Sequence, residues 1–207
     1  MIVILDYGMG NTASILNMIH RVGGDAVISS DTQKILEANA LILPGVGAFD
    51  NAMQKLNESG LVSLIMQRVQ ADKIPFMGIC LGMQLLFESS EEGVLPGLGL
   101  VSGEIKKFAF HKAGQESLKI PHMGWNVVQP VAGTRMFNGF DRDPRFYFVH
   151  SYHAVCADSN DVAATCEYGY PFTCAVQKDN IFAAQFHPEK SHKFGMQIFK
   201  NFLEQLC

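Results

Sequence analysis

The chain has 207 residues, 48% of them hydrophobic and 17% charged, with a formal net charge of −4 at pH 7. That apolar share supplies a real core and excludes a disordered or fibrous chain, and the length fits one domain over residues 1–207. An acidic balance without any Lys/Arg block excludes the electrostatic footprint of a nucleic-acid or anionic-membrane binder, which leaves small molecules and proteins as partners.

Residues 2–6 read as a buried strand, and Gly8-Met9-Gly10 turns the chain into a helix from Asn11 or Thr12. Ile15, Leu16 and Ile19 share one face of that helix, and Gly23-Gly24 ends it. Two further strands, 26–29 and 40–43, follow, the second closing on Pro44-Gly45-Val46-Gly47; a helix is expected over 61–70 and a strand over 74–79. Strands alternating with helices predict parallel pairing through crossovers. After about residue 95 the texture changes, with strands in succession near 103–108, 145–150, 162–168, 172–177 and 181–186. A helix from Ser191 carries Phe194, Ile198, Phe199, Phe202 and Leu206 as an apolar stripe. The expected fold is therefore α/β: an open, mostly parallel sheet flanked by helices, with an antiparallel or mixed portion in the second half. Residues 109–118 and 138–144 are the loop candidates.

Cys80, Cys156, Cys166, Cys174 and Cys207 are odd in number and form no C-x-x-C pair. Neither a disulfide framework nor a zinc ribbon is suggested, and a reducing cytoplasm fits. The apolar run at residues 2–5 is too short and lacks the basic flank of a signal peptide. No apolar stretch approaches the roughly 20 residues that span a bilayer.

Gly78-Ile79-Cys80-Leu81-Gly82 sets a cysteine between glycines at the end of an apolar strand, before a helical pattern at 83–88. That is the cysteine form of a nucleophile elbow: a sharp strand-to-helix turn strains the nucleophile, and flanking glycines remove side chains that would clash. The helix start favours a thiolate, and the Leu81 N–H can face a developing oxyanion. A free cysteine is more often a small buried hydrophobe, so the elbow needs a base. His187-Pro188-Glu189, after the strand at 181–186, supplies an imidazole and its orienting carboxylate. His150 and His153 flank Ser151-Tyr152 without a third ligand at a suitable spacing, and no metal or cofactor is expected. His20, His111, His122 and His192 read as structural or solvated.

Gly78 to Gln84 followed late in the chain by His187-Pro188-Glu189 resembles the class I glutamine amidotransferases, and Pro44-Gly45-Val46-Gly47 resembles that family's oxyanion loop. The resemblance implies a catalytic triad of Cys80, His187 and Glu189. It also implies oxyanion donors among Gly45, Val46, Gly47 and Leu81, and an L-glutamine site at Gly47, Gln84, Ser151 and Tyr152. Four stretches, Asp6 to Asn11, Pro44 to Phe49, Pro121 to Asn126 and His187 to Ser191, are similar to one branch, the glutaminase subunits of imidazole glycerol phosphate synthases. That branch implies a heterodimer with a (β/α)8-barrel cyclase subunit, to which ammonia passes without meeting bulk water. Asn11, Trp125 and Lys190 match positions that face the barrel there. Each also has a plainer reading, as helix N-cap, core aromatic and solvated charge. An amidotransferase serving a different synthase, a docking subunit without activity and a thiol-redox α/β protein remain as alternatives.

Overall fold

The computed structural model describes residues 1–110, 118–140 and 143–206. The polar loop at 111–116, with His111, and Cys207 lie outside the described residues. The strands are β1 (Ile2–Leu5), β2 (Ala26–Ser29), β3 (Ala40–Leu43), β4 (Phe76–Ile79), β5 (Ser89–Ser90), β6 (Gly103–Lys107), β7 (His122–Pro130), β8 (Arg145–His150), β9 (Tyr152–Cys156), β10 (Val162–Glu167), β11 (Pro171–Lys178) and β12 (Ile181–Ala184). The helices are α1 (Thr12–Arg21), α2 (Thr32–Leu36), α3 (Phe49–Glu58), α4 (Leu61–Met66), α5 (Leu81–Gln84) and α6 (His192–Leu203).

β1, β3, β4 and β12 are buried at every residue. They carry continuous apolar runs because helices cover both faces of the sheet. Alternate side chains go to opposite layers. Ile2, Ile4, Ile42, Met77 and Ile79 pack with Ile15 and Ile19 of α1 and Ile198, Phe199 and Phe202 of α6. Val3, Leu5, Leu41, Leu43 and Phe76 pack with Phe49, Met53 and Leu56 of α3 and Leu61 and Ile65 of α4. Pairing runs β2-β1-β3-β4-β12-β11-β10-β7-β8, and β9, β6 and β5 branch from β11. The first five strands are parallel, and β12 to β8 are antiparallel. The expected change of texture is thus a change of pairing within one sheet.

Several elements differ from expectation. β7 and β9 are strands where none was predicted, and α2 and α3 are additional helices. The helix expected over 61–70 is α4 continued by a π turn at Gln67–Ala71. The helix after the elbow is the four-residue α5, not 83–88, so its dipole contributes less than a full helix would. Asn11 occupies the N-cap position of α1, as its plainer reading has it, though without a side-chain cap hydrogen bond.

The carboxyl ends of β1, β3, β4 and β12 lie side by side. They deliver, respectively, residues 6–11, residues 44–47, Cys80 and His187 to one edge of the sheet, where open α/β sheets gather their ligands.

Candidate active site

Cys80 follows β4 at φ +54°, ψ −113°, a conformation that costs a non-glycine residue free energy and persists only where its surroundings enforce it. The enforcement is visible in the glycines. A Cβ on Gly78 would lie 2.8 Å from the Gly82 carbonyl oxygen, and one on Gly82 would overlap the Leu43 carbonyl oxygen. A Cβ on Gly45 would come within 2.7 Å of the Gly82 nitrogen, and one on Gly10 within 2.7 Å of Pro44 Cβ. The 6–11 loop, the 44–47 loop and the elbow therefore form a backbone-to-backbone stack. The Cys80 amide anchors it by donating to the Ala184 carbonyl at 2.7 Å. Tyr7 ties the 44–47 loop down from below, its hydroxyl donating to the Pro44 carbonyl at 2.7 Å.

That clamp gives a direct test. Tyr7→Phe removes the donor and strands a buried carbonyl, which should cost about 1–3 kcal/mol in denaturant unfolding and slow glutamate release. Parent-like unfolding in the variant would remove the clamp from the description.

His187 emerges one residue past Phe186, its amide donating to the Tyr147 carbonyl at 2.9 Å. Pro188 begins a 3-10 turn, Pro188–Lys190, which brings Glu189 back under the ring so that Glu189 Oε1 lies 2.8 Å from His187 Nδ1. A ring nitrogen facing a carboxylate carries the proton, so Nδ1 donates and Nε2 is left for the cysteine. Nε2 is buried and has no hydrogen-bond partner among the described residues, which leaves it free to exchange a proton with a substrate. Burial works against the imidazolium, yet Cys80 and Glu189 outweigh it and push the His187 pKa up to about 10.

A cavity of about 330 Å³ opens over the sulphur, lined by Val46, Gly47, Cys80, Leu81, Gln84, Ser151, Tyr152 and His187 among the predicted residues. Gly45 packs behind it, against Leu81 and Gly82. Val46 is 43% exposed. Among the described residues the Leu81 amide has no acceptor. His150 lines the cavity too, and His153 instead bonds the Tyr170 hydroxyl at 3.0 Å. His122, expected in a loop, sits buried in β7.

Glu92, which the sequence did not single out, also lines the cavity. One of its carboxylate oxygens accepts from the Phe49 amide at 2.9 Å, and burial raises its pKa, with Asp50 adding to the rise. Its position depends on Asp50, which accepts from the amides of Val94 and Leu95 and so clips the 91–95 loop to the start of α3. Nothing local in the sequence announces that long-range clip.

Asn11, Trp125 and Lys190 lie outside the cavity. Trp125 is 49% exposed, which removes the core reading; its ring stacks on His192 at 5.5 Å and 2° and meets Tyr147 at 6.3 Å. Lys190 is exposed and places its Nζ 5.7 Å over the Tyr147 ring. With Met123 at 62% exposure, and Ile120 just before the strand at 40%, β7 and its approach present an apolar, aromatic surface close to the His187 turn, of the kind that marks interaction sites.

The chain belongs to the class-I glutamine amidotransferase family, described as "Glutamine amidotransferase class-I", which matches residues 3–206. A solved structure titled glutamine amidotransferase superposes with a TM-score of 0.73 at 19% identity, covering 99% of this chain and 98% of that one; at that identity the likeness is one of fold. Within the family the chain is 51% identical, over 99% of both chains, to "Imidazole glycerol phosphate synthase subunit HisH 2" of Pseudomonas aeruginosa. It is 50% identical, over 99% of this chain and 100% of the relative, to the protein of the same name from Methanococcus maripaludis.

Proposed function

We propose that this chain is the glutaminase subunit of an imidazole glycerol phosphate synthase, hydrolysing glutamine and handing the ammonia to a (β/α)8-barrel cyclase in histidine biosynthesis. The observation that carries the chemistry is the strained Cys80 beside the unpartnered Nε2 of a histidine held by Glu189 at 2.8 Å. The branch rests on half-identity to HisH subunits along the whole length.

The Cys80 thiolate attacks the γ-carboxamide carbon, and the oxyanion is held by backbone N–H groups of Leu81 and the 44–47 loop. His187 gives its proton to the departing ammonia, leaving a γ-glutamyl thioester. His187 then takes a proton from water, whose attack on the thioester carbon releases glutamate and expels Cys80 as the thiolate, restoring the starting thiolate and protonated His187. Gly47, Gln84, Ser151 and Tyr152 hold the amino-acid end, and Glu92, an acid in the same cavity, pairs with the α-ammonium. The barrel covers Asn11, Trp125 and Lys190. The site is cytoplasmic, in keeping with free thiols at Cys80, Cys156, Cys166 and Cys174; among the described residues no helix is long and apolar enough to cross a membrane.

The test is glutamate release by this chain with and without a barrel cyclase carrying its nucleotide ligand. Release should be slow alone and accelerated by the loaded partner, and Trp125→Ala should weaken partner binding by about 1–3 kcal/mol, as for a buried interface aromatic. Equal rates in both conditions would count against the partner. No release under either condition would count against the glutaminase itself.

A further inference from the structure

Gln185 is fully buried and has no part in the steps above. Its side-chain Oε1 accepts from Gln84 Nε2 at 2.9 Å, and its own Nε2 lies 3.9 Å from Cys80 Sγ. Gln84 Nε2 also donates to the Tyr152 carbonyl at 3.2 Å. That carbonyl lies 2.7 Å from His150 Nδ1, and a nitrogen facing a carbonyl must carry the proton. His150 Nε2 is then the acceptor for His122 Nδ1 at 2.9 Å, and His122 Nε2 accepts from Asn126 Nδ2 at 3.3 Å.

The Tyr152 carbonyl can only accept, so it fixes the Gln84 NH2 toward itself, with His150 donating to the same oxygen. Both hydrogens of the Gln84 amide are used, so Gln185 must turn its oxygen to Gln84 and its NH2 to the sulphur. The reverse amide orientation would set two NH2 groups against each other in a buried site, at the cost of unsatisfied donors. The two histidines beside it are neutral, burial lowering His122 to about 4 and His150 to about 3.

We propose that the Gln185 side-chain amide is a donor to the Cys80 sulphur, stabilising the thiolate, and that the Tyr152 carbonyl, through Gln84, fixes its orientation. An N–H aimed at a charged acceptor favours the charged form, and a water-poor site strengthens the bond. At 3.9 Å the contact is long for a neutral thiol; it tightens when the sulphur ionises. The proposal rests on Cys80 being the nucleophile, a reading that stands or falls separately, on whether Cys80→Ala still hydrolyses glutamine.

The experiment measures iodoacetamide alkylation at Cys80 against pH in the full chain, read by peptide mass spectrometry, in the parent and in Gln185→Met. The titratable groups around Cys80 are His187, Tyr7 and, in the cavity, His150, Tyr152 and Glu92; the substitution changes none of them. The alkylation midpoint should rise by about one pH unit, which is about a tenfold fall in rate at pH values below both midpoints. Turnover should fall with it at nearly constant KM. A role confined to satisfying Gln84 would lower the melting temperature and leave the midpoint in place, and an unmoved midpoint overturns the proposal. Should Gln185→Met fail to fold, the side-chain amide resonances of Gln185 in the nitrogen-15-labelled parent decide the question. They should follow the Cys80 titration, and resonances that ignore it overturn the proposal.

Discussion

Replacing Cys80 with alanine should lower glutamate release by about 10⁴-fold or more, because a nucleophile and its base act as a unit and what survives is binding and oxyanion stabilisation alone. The fold should hold, since Cys80 is small and the elbow is enforced by Gly78 against Gly82 and by Gly82 against the Leu43 and Pro44 backbone rather than by the sulphur. Cys80→Ser should be almost as inactive, its hydroxyl being a far poorer nucleophile at neutral pH. The substitution also has a signature in stability. The folded His187 pKa stands near 10, above the roughly 6.5 of the unfolded chain, so its proton stabilises the fold fully below about pH 6.5 and that contribution is lost as the pH rises toward 10. Removing the sulphur takes away one of the two groups that raise it. Thermal melts should therefore fall with pH between about 6.5 and 10 in the parent and fall less in Cys80→Ala. Glutaminase activity retained in Cys80→Ala would end the nucleophile assignment, and parallel melting curves would end the account of the His187 charge.

How much of this was legible beforehand depended on whether the determining contacts are local. β1, β3 and β4 could be read because burial on both faces leaves an unbroken apolar run, and the elbow and His187-Pro188-Glu189 because each is a short string whose geometry its own residues impose. β7 hid itself: Gly124 and Asn126 interrupt it, and its outward face carries the exposed apolar Met123 and Trp125, so no alternation of polar and apolar survives. α3 carries a plain helical spacing at Phe49, Ala52, Met53 and Leu56, and it was masked only by the polar residues between. Glu92, Tyr7 and Gln185 were out of reach for a different reason. Each acquires its part from a partner distant in the chain, Phe49 for Glu92, Pro44 for Tyr7 and Cys80 for Gln185, and no pattern in the sequence encodes those pairings. Trp125 shows the opposite case: the sequence left a core reading standing, and its 49% exposure removes it.

Gly82→Ala should disable the site from a position that touches no substrate. The added methyl would overlap the Leu43 carbonyl oxygen and lie 2.9 Å from the Leu43 carbonyl carbon and 3.2 Å from that of Pro44, all of them backbone. Main chain cannot rotate away as the tip of a side chain can, so either the elbow lifts from β3 or residues 43–45 move outward. Overpacking of this kind costs about 1–3 kcal/mol, occasionally more. The 44–47 loop is the proposed source of oxyanion donors, and its displacement should add a loss of about 100- to 1000-fold in glutamate release. Gly23→Ala supplies the control. Gly23 has positive φ, at +87°, which Gly82, inside α5, does not, and a Cβ at Gly23 meets nothing within 4 Å. It should cost about 1–2 kcal/mol of backbone strain and leave turnover untouched. The two variants thus set backbone strain alone, at Gly23, against steric displacement alone, at Gly82, where the added methyl prises apart the stack of Gly10, Pro44-Gly45 and Gly82. Unimpaired turnover in Gly82→Ala would mean that the oxyanion donors do not depend on that stack.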